Sequence, residues 1–286
     1  YMAEKAKAKK AGFKPVAMKG LSLSAKINQD ITTTESANIA GGVVGSKYPD
    51  EYILYMAHWD HMGRDESLEG DQIFNGAVDN ATGTAAIIEI GEAFAKADTP
   101  PERSILVVAV TAEESGLLGS AYYAEDPIVP LSQTVAGINI DAILPIGETN
   151  DIIVVGYGAS QIEDRLKMLL EADGKYIVPD QNPSAGYFYR SDHISLAKKG
   201  VPMLYADSGV DHVTKGKEFG MKFGEIYTKE RYHKVGDEYS SDWDMSGIVY
   251  TTDLFYELGK NISATEEWPN WYDGSEFRAL RDEMLK

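Results

Sequence analysis

The hydrophobic pattern alternates short unbroken apolar runs with amphipathic stretches. Tyr52-Ile53-Leu54-Tyr55-Met56-Ala57 and Ser104-Ile105-Leu106-Val107-Val108-Ala109-Val110 lack polar alternation, as expected of strands covered on both sheet faces. Ala136 to Ile140, Ile152 to Val155 and Val201 to Tyr205 predict further strands. Between these runs, residues 81–97 read as a helix with Ala85, Ile88 and Phe94 turned inward. Ser160 and Glu163 form a capping box on a helix presenting Ile162, Leu166, Leu169 and Leu170. Residues 246–261 predict another helix, and a last one from Ser275 places Phe277, Leu280 and Met284 on one face. Tyr1 to Lys10 reads as a Lys/Ala-rich helix ended by Gly12 and Pro15, and residues 21–36 as a strand followed by a loop. Residues 207–231 carry four glycines and mixed charge, so they read as a long loop, expected to act as a lid over a pocket. Strands alternating with helices predict an α/β fold, a mixed but mostly parallel central sheet sandwiched between helices. The expected division is an N-terminal segment, 1–36, and a domain, 37–286, with a C-terminal tail helix.

Composition narrows the functions. The chain has 286 residues and a net charge of −18, which opposes binding to nucleic-acid phosphates and anionic lipid. Residues 1–20 are the exception, with six lysines and one glutamate, and read as a solvated helix face. No apolar run is long enough to span a membrane. Cysteine is absent, which removes disulfides, thiolate metal sites and cysteine nucleophiles. The chain begins at Tyr1 and shows no signal peptide, so it reads as a fragment or a processed form from which any export signal is gone.

Ligands in open α/β sheets bind beyond the carboxyl ends of the strands. Those positions hold His58-Trp59-Asp60-His61, Thr111-Ala112-Glu113-Glu114 and Asp141. Asp79 lies at a helix start within Asn75-Gly76-Ala77-Val78-Asp79-Asn80-Ala81-Thr82-Gly83, and Tyr232-His233 lies far downstream. Each residue alone has an ordinary structural explanation: a partly buried histidine, a helix cap, a surface carboxylate pair. Three strand ends that each deliver a metal-type ligand are harder to assign to chance. Nitrogen and oxygen donors without sulfur suit zinc, manganese or cobalt. Two histidines and three carboxylates exceed what one catalytic zinc uses, but they suit two metals if one carboxylate bridges.

These stretches, with Ala112-Glu113-Glu114-Ser115-Gly116-Leu117-Leu118-Gly119-Ser120, Asn139-Ile140-Asp141, Ser191-Asp192-His193 and Asp237, resemble the M28 family of co-catalytic zinc aminopeptidases. They follow family order over roughly residues 37–262, and residues 1–36 resemble the segment after a protease-associated insert that this chain lacks. The resemblance implies a zinc exopeptidase-like fold and two Zn2+ per chain. Asp79 would bridge the two metals, with His58 and Asp141 completing one site and Glu114 and His233 the other. Asp60 would hydrogen-bond His58 and fix its orientation, and Glu113 would be the general base. His58, rather than His61, has the family spacing. The implied activity is removal of N-terminal residues from peptide substrates by a bridging-hydroxide mechanism, and the implied location is secreted or periplasmic.

Other motifs weigh less. Ser191-Asp192-His193 cannot form a hydrolase triad from sequence neighbours and reads as structural support near the pocket. Tyr187 or Tyr189 is positioned to assist a developing oxyanion or to line the pocket wall. Gly156-Tyr157-Gly158 lacks the third glycine of a dinucleotide fingerprint, and the sequons at Asn80 and Asn261 are read as chance. Two rival readings stay open: a related zinc carboxypeptidase or glutaminyl cyclase, and a catalytically silent binding module. The carboxypeptidase needs more arginines than Arg64, Arg190 and Arg231 near the pocket segments, the cyclase fits poorly with all five ligands of a two-metal site present, and the binding module needs lost ligands.

Overall fold

The computed structural model describes residues 2–17 and 19–286, and the chain divides into two units, Tyr1–Glu35 and Ser36–Lys286. In the first, helix α1 (Met2–Ala8) buries no residue, and a Lys7–Glu4 ion pair of 2.6 Å ties its surface. The strand expected within 21–36 does not form, because the segment has no partner strand in its own unit. Tyr1, expected to open the helix, lies outside the described residues.

The second unit holds nine strands: β1 (Ile39–Val43), β2 (Tyr48–His58), β3 (Gly63–Arg64), β4 (Ile73–Phe74), β5 (Arg103–Val110), β6 (Thr134–Asn139), β7 (Asp151–Val154), β8 (Tyr176–Pro179) and β9 (Met203–Ser208). Seven form one sheet in the order β1-β5-β2-β6-β9-β7-β8, and β3 and β4 make a small hairpin. β5, β2, β6 and β9 run parallel, whereas β1 and the β7–β8 pair run against their neighbours. The sheet is therefore mixed and mostly parallel. Its helices are α2 (Gly83–Lys96), α3 (Leu118–Glu125), α4 (Ile162–Ala172), α5 (His193–Ala197), α6 (Gly216–Glu230), α7 (Ser246–Ser263) and α8 (Arg278–Met284).

Alternation along β2 shows why its run is apolar on both sides. Ile53, Tyr55 and Ala57 face a core shared with α2, α4 and α7, whereas Leu54 and Met56 face a second core with Ile194, Trp271 and Phe277. Successive strand residues point to opposite faces, so a strand with both faces covered has no polar position to offer. No helix among the described residues is long and apolar enough to cross a membrane.

Three expectations are corrected. Helix α2 buries Ala86, Ile87, Ile90 and Phe94, so Phe94 turns inward as expected, but Ala85 is exposed and Ile88 is 58% exposed. In α8 the buried residue is Arg281; Leu280 is exposed, whereas Phe277, just before the helix, is buried as expected. The supposed loop at 207–231 is the end of β9 followed by the long helix α6. Close packing accounts for Gly220, where a Cβ would lie 2.0 Å from the Val210 carbonyl oxygen, but not for Gly224, where one would meet nothing.

That difference yields a paired prediction. Gly220→Ala should cost about 1–3 kcal/mol through overpacking, and Gly224→Ala should gain about 0.5–1 kcal/mol by restricting the unfolded chain. Urea midpoints measure both; two shifts of the same sign would contradict this packing of α6.

Candidate metal centre and active site

The strand ends deliver the candidate residues to one place. His58 is the last residue of β2. Its Nδ1 donates to the backbone carbonyl of Asp60 at 3.1 Å. Its Nε2 lies 3.1 Å from Asp79 Oδ1 and 3.3 Å from Asp141 Oδ1. On the other side of Asp79, His233 Nε2 lies 3.2 Å from Asp79 Oδ2 and 3.2 Å from Glu114 Oε2. Asp79 thus turns one oxygen to each of two histidine–carboxylate clusters.

Local structure explains why Asp79 is held so. The backbone N–H groups of Val78 and Asp79 donate to the Asp237 carboxylate at 3.1 and 3.0 Å. Asn80 Oδ1 accepts from Gly83 N and Ala142 N, each at 3.0 Å, and its Nδ2 donates to Ile140 O at 2.9 Å. The Asn80 side chain therefore locks the Asp79 segment to the strand end that carries Asp141. Gly83 must be glycine, since a Cβ there would lie 2.4 Å from the Ile140 carbonyl oxygen. Ser191 Oγ donates to Asp141 Oδ2 at 2.6 Å and itself receives Asn139 Nδ2 at 2.8 Å. Ser191 is thus a support for Asp141. Left-handed backbone occurs at Ala112, Ala142 and His233, each within one residue of a candidate group. Such conformations cost energy away from glycine and gather at functional sites.

Asp60 needs a correction. Its carboxylate is 3.8 Å from His58 Nδ1 and instead accepts the backbone N–H groups of Glu113 and Glu114 at 3.0 and 3.4 Å. The carbonyl, two residues on from His58, is better aimed at the ring, so the side chain is free to place the Glu113–Glu114 turn. That segment is a turn rather than an extended strand. It sends Glu114 toward His61 and His233 and Glu113 to the wall of a cavity beside His58 and Asp141.

His61, ranked behind His58 on spacing, also lies at the centre. Its Nδ1 is 2.8 Å from Glu114 Oε1 with the side chain only 8% exposed, and neither ring nitrogen has a hydrogen-bond partner. Its signal was visible, three residues after His58, but no periodicity told which of the two rings turns inward. Tyr189 points away, donating to Glu276 at 2.8 Å. Tyr187 lines the cavity, together with Tyr205, Tyr227 and Tyr232, and Tyr232 stacks on the His233 ring at 3.9 Å.

The donor set fits a cation. His58, Asp79 and Asp141 form one buried group with all donor atoms within 4.8 Å of one another, and His61, Asp79 and Glu114 form a second. Buried carboxylates this close demand positive charge. Burial opposes protonation of His58, but Asp141 and Asp79 hold its pKa well above the ordinary value. Burial likewise opposes charge on Asp79, yet His233 and His58 hold its carboxyl below the usual range. Glu113 differs: burial pushes its carboxyl from 4.5 up to about 9.

A carboxyl whose pKa rises on folding binds its proton more tightly in the native state. Between pH 4.5 and about 9 it therefore subtracts stability as pH rises. In chelator, Glu113→Gln should flatten part of the fall in Tm between about pH 5 and pH 8. Parallel Tm profiles for the variant and the wild type would contradict the buried placement of Glu113.

The model of peptidase family M28 matches residues 38–256. Mouse aminopeptidase NAALADL1 is 32% identical over 127 residues, 43% of this chain and 16% of that protein. A Caenorhabditis elegans glutamate carboxypeptidase 2 homolog is 30% identical over 134 residues, 45% of this chain and again 16% of the relative. The chain therefore matches only a small part of the length of these curated relatives. Among solved structures, the zinc aminopeptidase BSAP of Bacillus subtilis has a TM-score of 0.57 at 20% identity, covering 84% of this chain and 53% of that one. A Bacteroides thetaiotaomicron glutaminyl cyclase reaches 0.54 at 19% identity, covering 78% and 77%. At such identities the likeness concerns the fold, but the family match spans most of the sequence: the chain belongs to peptidase family M28.

Proposed function

We propose that the protein is a two-zinc aminopeptidase that removes N-terminal residues from peptides. The observation that carries this reading is Asp79, whose two oxygens face separate clusters. In the proposal His58, Asp79 and Asp141 hold one cation; Asp79, Glu114 and His233 hold the other, with His61 beside Glu114. When bound, such a pair supplies Lewis acidity and lowers the pKa of water.

The chain's own residues do the rest. Glu113, on the cavity wall, would be ionised once positive charge occupies the centre, and would then take a proton from the attacking water and return it to the leaving amine. Asp60, through the backbone of 113–114, keeps that carboxyl in place. Tyr187 or Tyr232 faces the cavity, where a hydroxyl donor stabilises a developing oxyanion. Among the described residues Arg190 is the one arginine on the cavity wall. A pocket for a C-terminal or acidic side-chain carboxylate calls for more positive charge, and the surrounding acids suit a free ammonium. Within this reading the protein acts outside the cytoplasm, a location supported by the family resemblance.

The test uses zinc-supplemented protein and one peptide with a free or an acetylated N-terminus, with products identified by mass. Release of the first residue from the free form alone is expected; loss of the last residue would overturn the proposal. Glu113→Gln should lower kcat by about 10²–10⁴-fold while leaving zinc content intact. Loss of the metal in that variant would instead make Glu113 a ligand.

A further inference from the structure

Part of the cavity lining takes no role in the proposed reaction. The lining includes His58, Asp79, Glu113, Asp141 and His233 and, besides these, the apolar Leu144, Ile153 and Val155 with Tyr205, and two further acids, Asp180 and Asp207. The volume is about 210 Å³, smaller than the ~300 Å³ from which drug-sized pockets begin, so it suits one side chain. Register places the acids there. Asp207 lies on β9 opposite Ile153 of β7 and shares a face with Tyr205 two residues back. Asp180 follows the end of β8, its N–H donating to the Val154 carbonyl at 3.2 Å.

Asp207 lacks a partner. Its Oδ1 is buried without a hydrogen bond, and buried polar atoms in native proteins are nearly always satisfied. The charges acting on it are those of Asp141 and Asp180, and with burial, the larger effect, they push its carboxyl well above the ordinary value. Arg190 does not relieve it. That guanidinium sits over the Tyr187 ring at 5.6 Å and acts on Tyr232 and His233. Among the described residues Asp207 and Asp180 thus have no ion-pair partner.

We propose that this cavity is a side-chain pocket for a basic N-terminal residue, lysine or arginine, with its stem against Leu144, Ile153 and Val155 and its charge received by Asp207 and Asp180. Both side chains carry long apolar stems with charged ends, matching an apolar wall closed by carboxyl groups. A leucine or phenylalanine side chain would seal Asp207 Oδ1 away from any donor. A glutamate would meet two acids. The identity of the ligand as an N-terminal residue rests on the aminopeptidase reading; the preference of the pocket for a cation does not.

The experiment pairs turnover with binding on zinc-supplemented protein. Lysyl, arginyl, leucyl and glutamyl amides are compared by kcat/KM, and free L-lysine and L-leucine by calorimetric titration, with Asp207→Asn and Asp180→Asn alongside. Lysyl and arginyl amides should exceed leucyl amide by about tenfold or more. Asp207→Asn should cut the lysine-to-leucine ratio by about ten- to a hundredfold, the worth of one charge-assisted hydrogen bond, with folding checked by thermal melting. Should Asp207→Asn fail to fold, Asp180→Asn should cut the same ratio. Preference for leucine, or a ratio unmoved by the folded variants, would overturn the proposal. If no amide is hydrolysed, tighter binding of lysine that depends on Asp207 keeps the pocket and sinks the aminopeptidase reading. Equal or absent binding in that case sinks the pocket too.

Discussion

Asp79 is the constraint on which the rest of the site depends. One buried carboxylate faces His58 and Asp141 with one oxygen and His233 and Glu114 with the other. Drawing this many acids out of water is costly unless positive charge lies among them. The surrounding chain is arranged to prevent the cluster from relaxing. Asp237 grips the backbone on one side of Asp79, and the Asn80 amide ties the other side to Ile140 and Ala142.

The sheet makes this possible. Parallel β2, β5 and β6 end side by side, so His58, the Glu113–Glu114 turn and Asp141 emerge at one rim without long loops. Apolar residues on both faces of β2 fix that rim, which puts the stability of the two cores in the service of donor geometry. Left-handed backbone at Ala112, Ala142 and His233 is tolerable because the framework beneath is rigid. Helix α6 completes the enclosure, with Tyr227 packed under Asp237 and on the cavity wall.

Much of this was legible in the sequence because the central strands are long, apolar and buried on both faces. The residues that follow them then name the rim of the sheet. What escaped had weaker signals. α6 carries glycines at 216, 220 and 224, which read as loop until close packing against Val210 accounts for one of them. β1, with two glycines and mostly exposed residues, offers no periodicity. In α2 two adjacent isoleucines, Ile87 and Ile88, leave the phase of the apolar face undetermined. Asp60 was expected at His58 through its carboxylate, but the ring is met by the backbone carbonyl, a choice that residue type does not encode. The acid at 207 sits in a strand whose neighbours are apolar, and only tertiary structure brings Asp180 near it.

The central claim is a binuclear centre organised by one shared carboxylate. The most direct measurement is calorimetric titration of zinc into chelator-treated protein, with elemental analysis of the product, on the wild type and Asp79→Ala. The account predicts about two zinc ions per chain and loss of both in the variant. A single zinc in the wild type, or an Asp79→Ala protein that keeps its full complement, would contradict it.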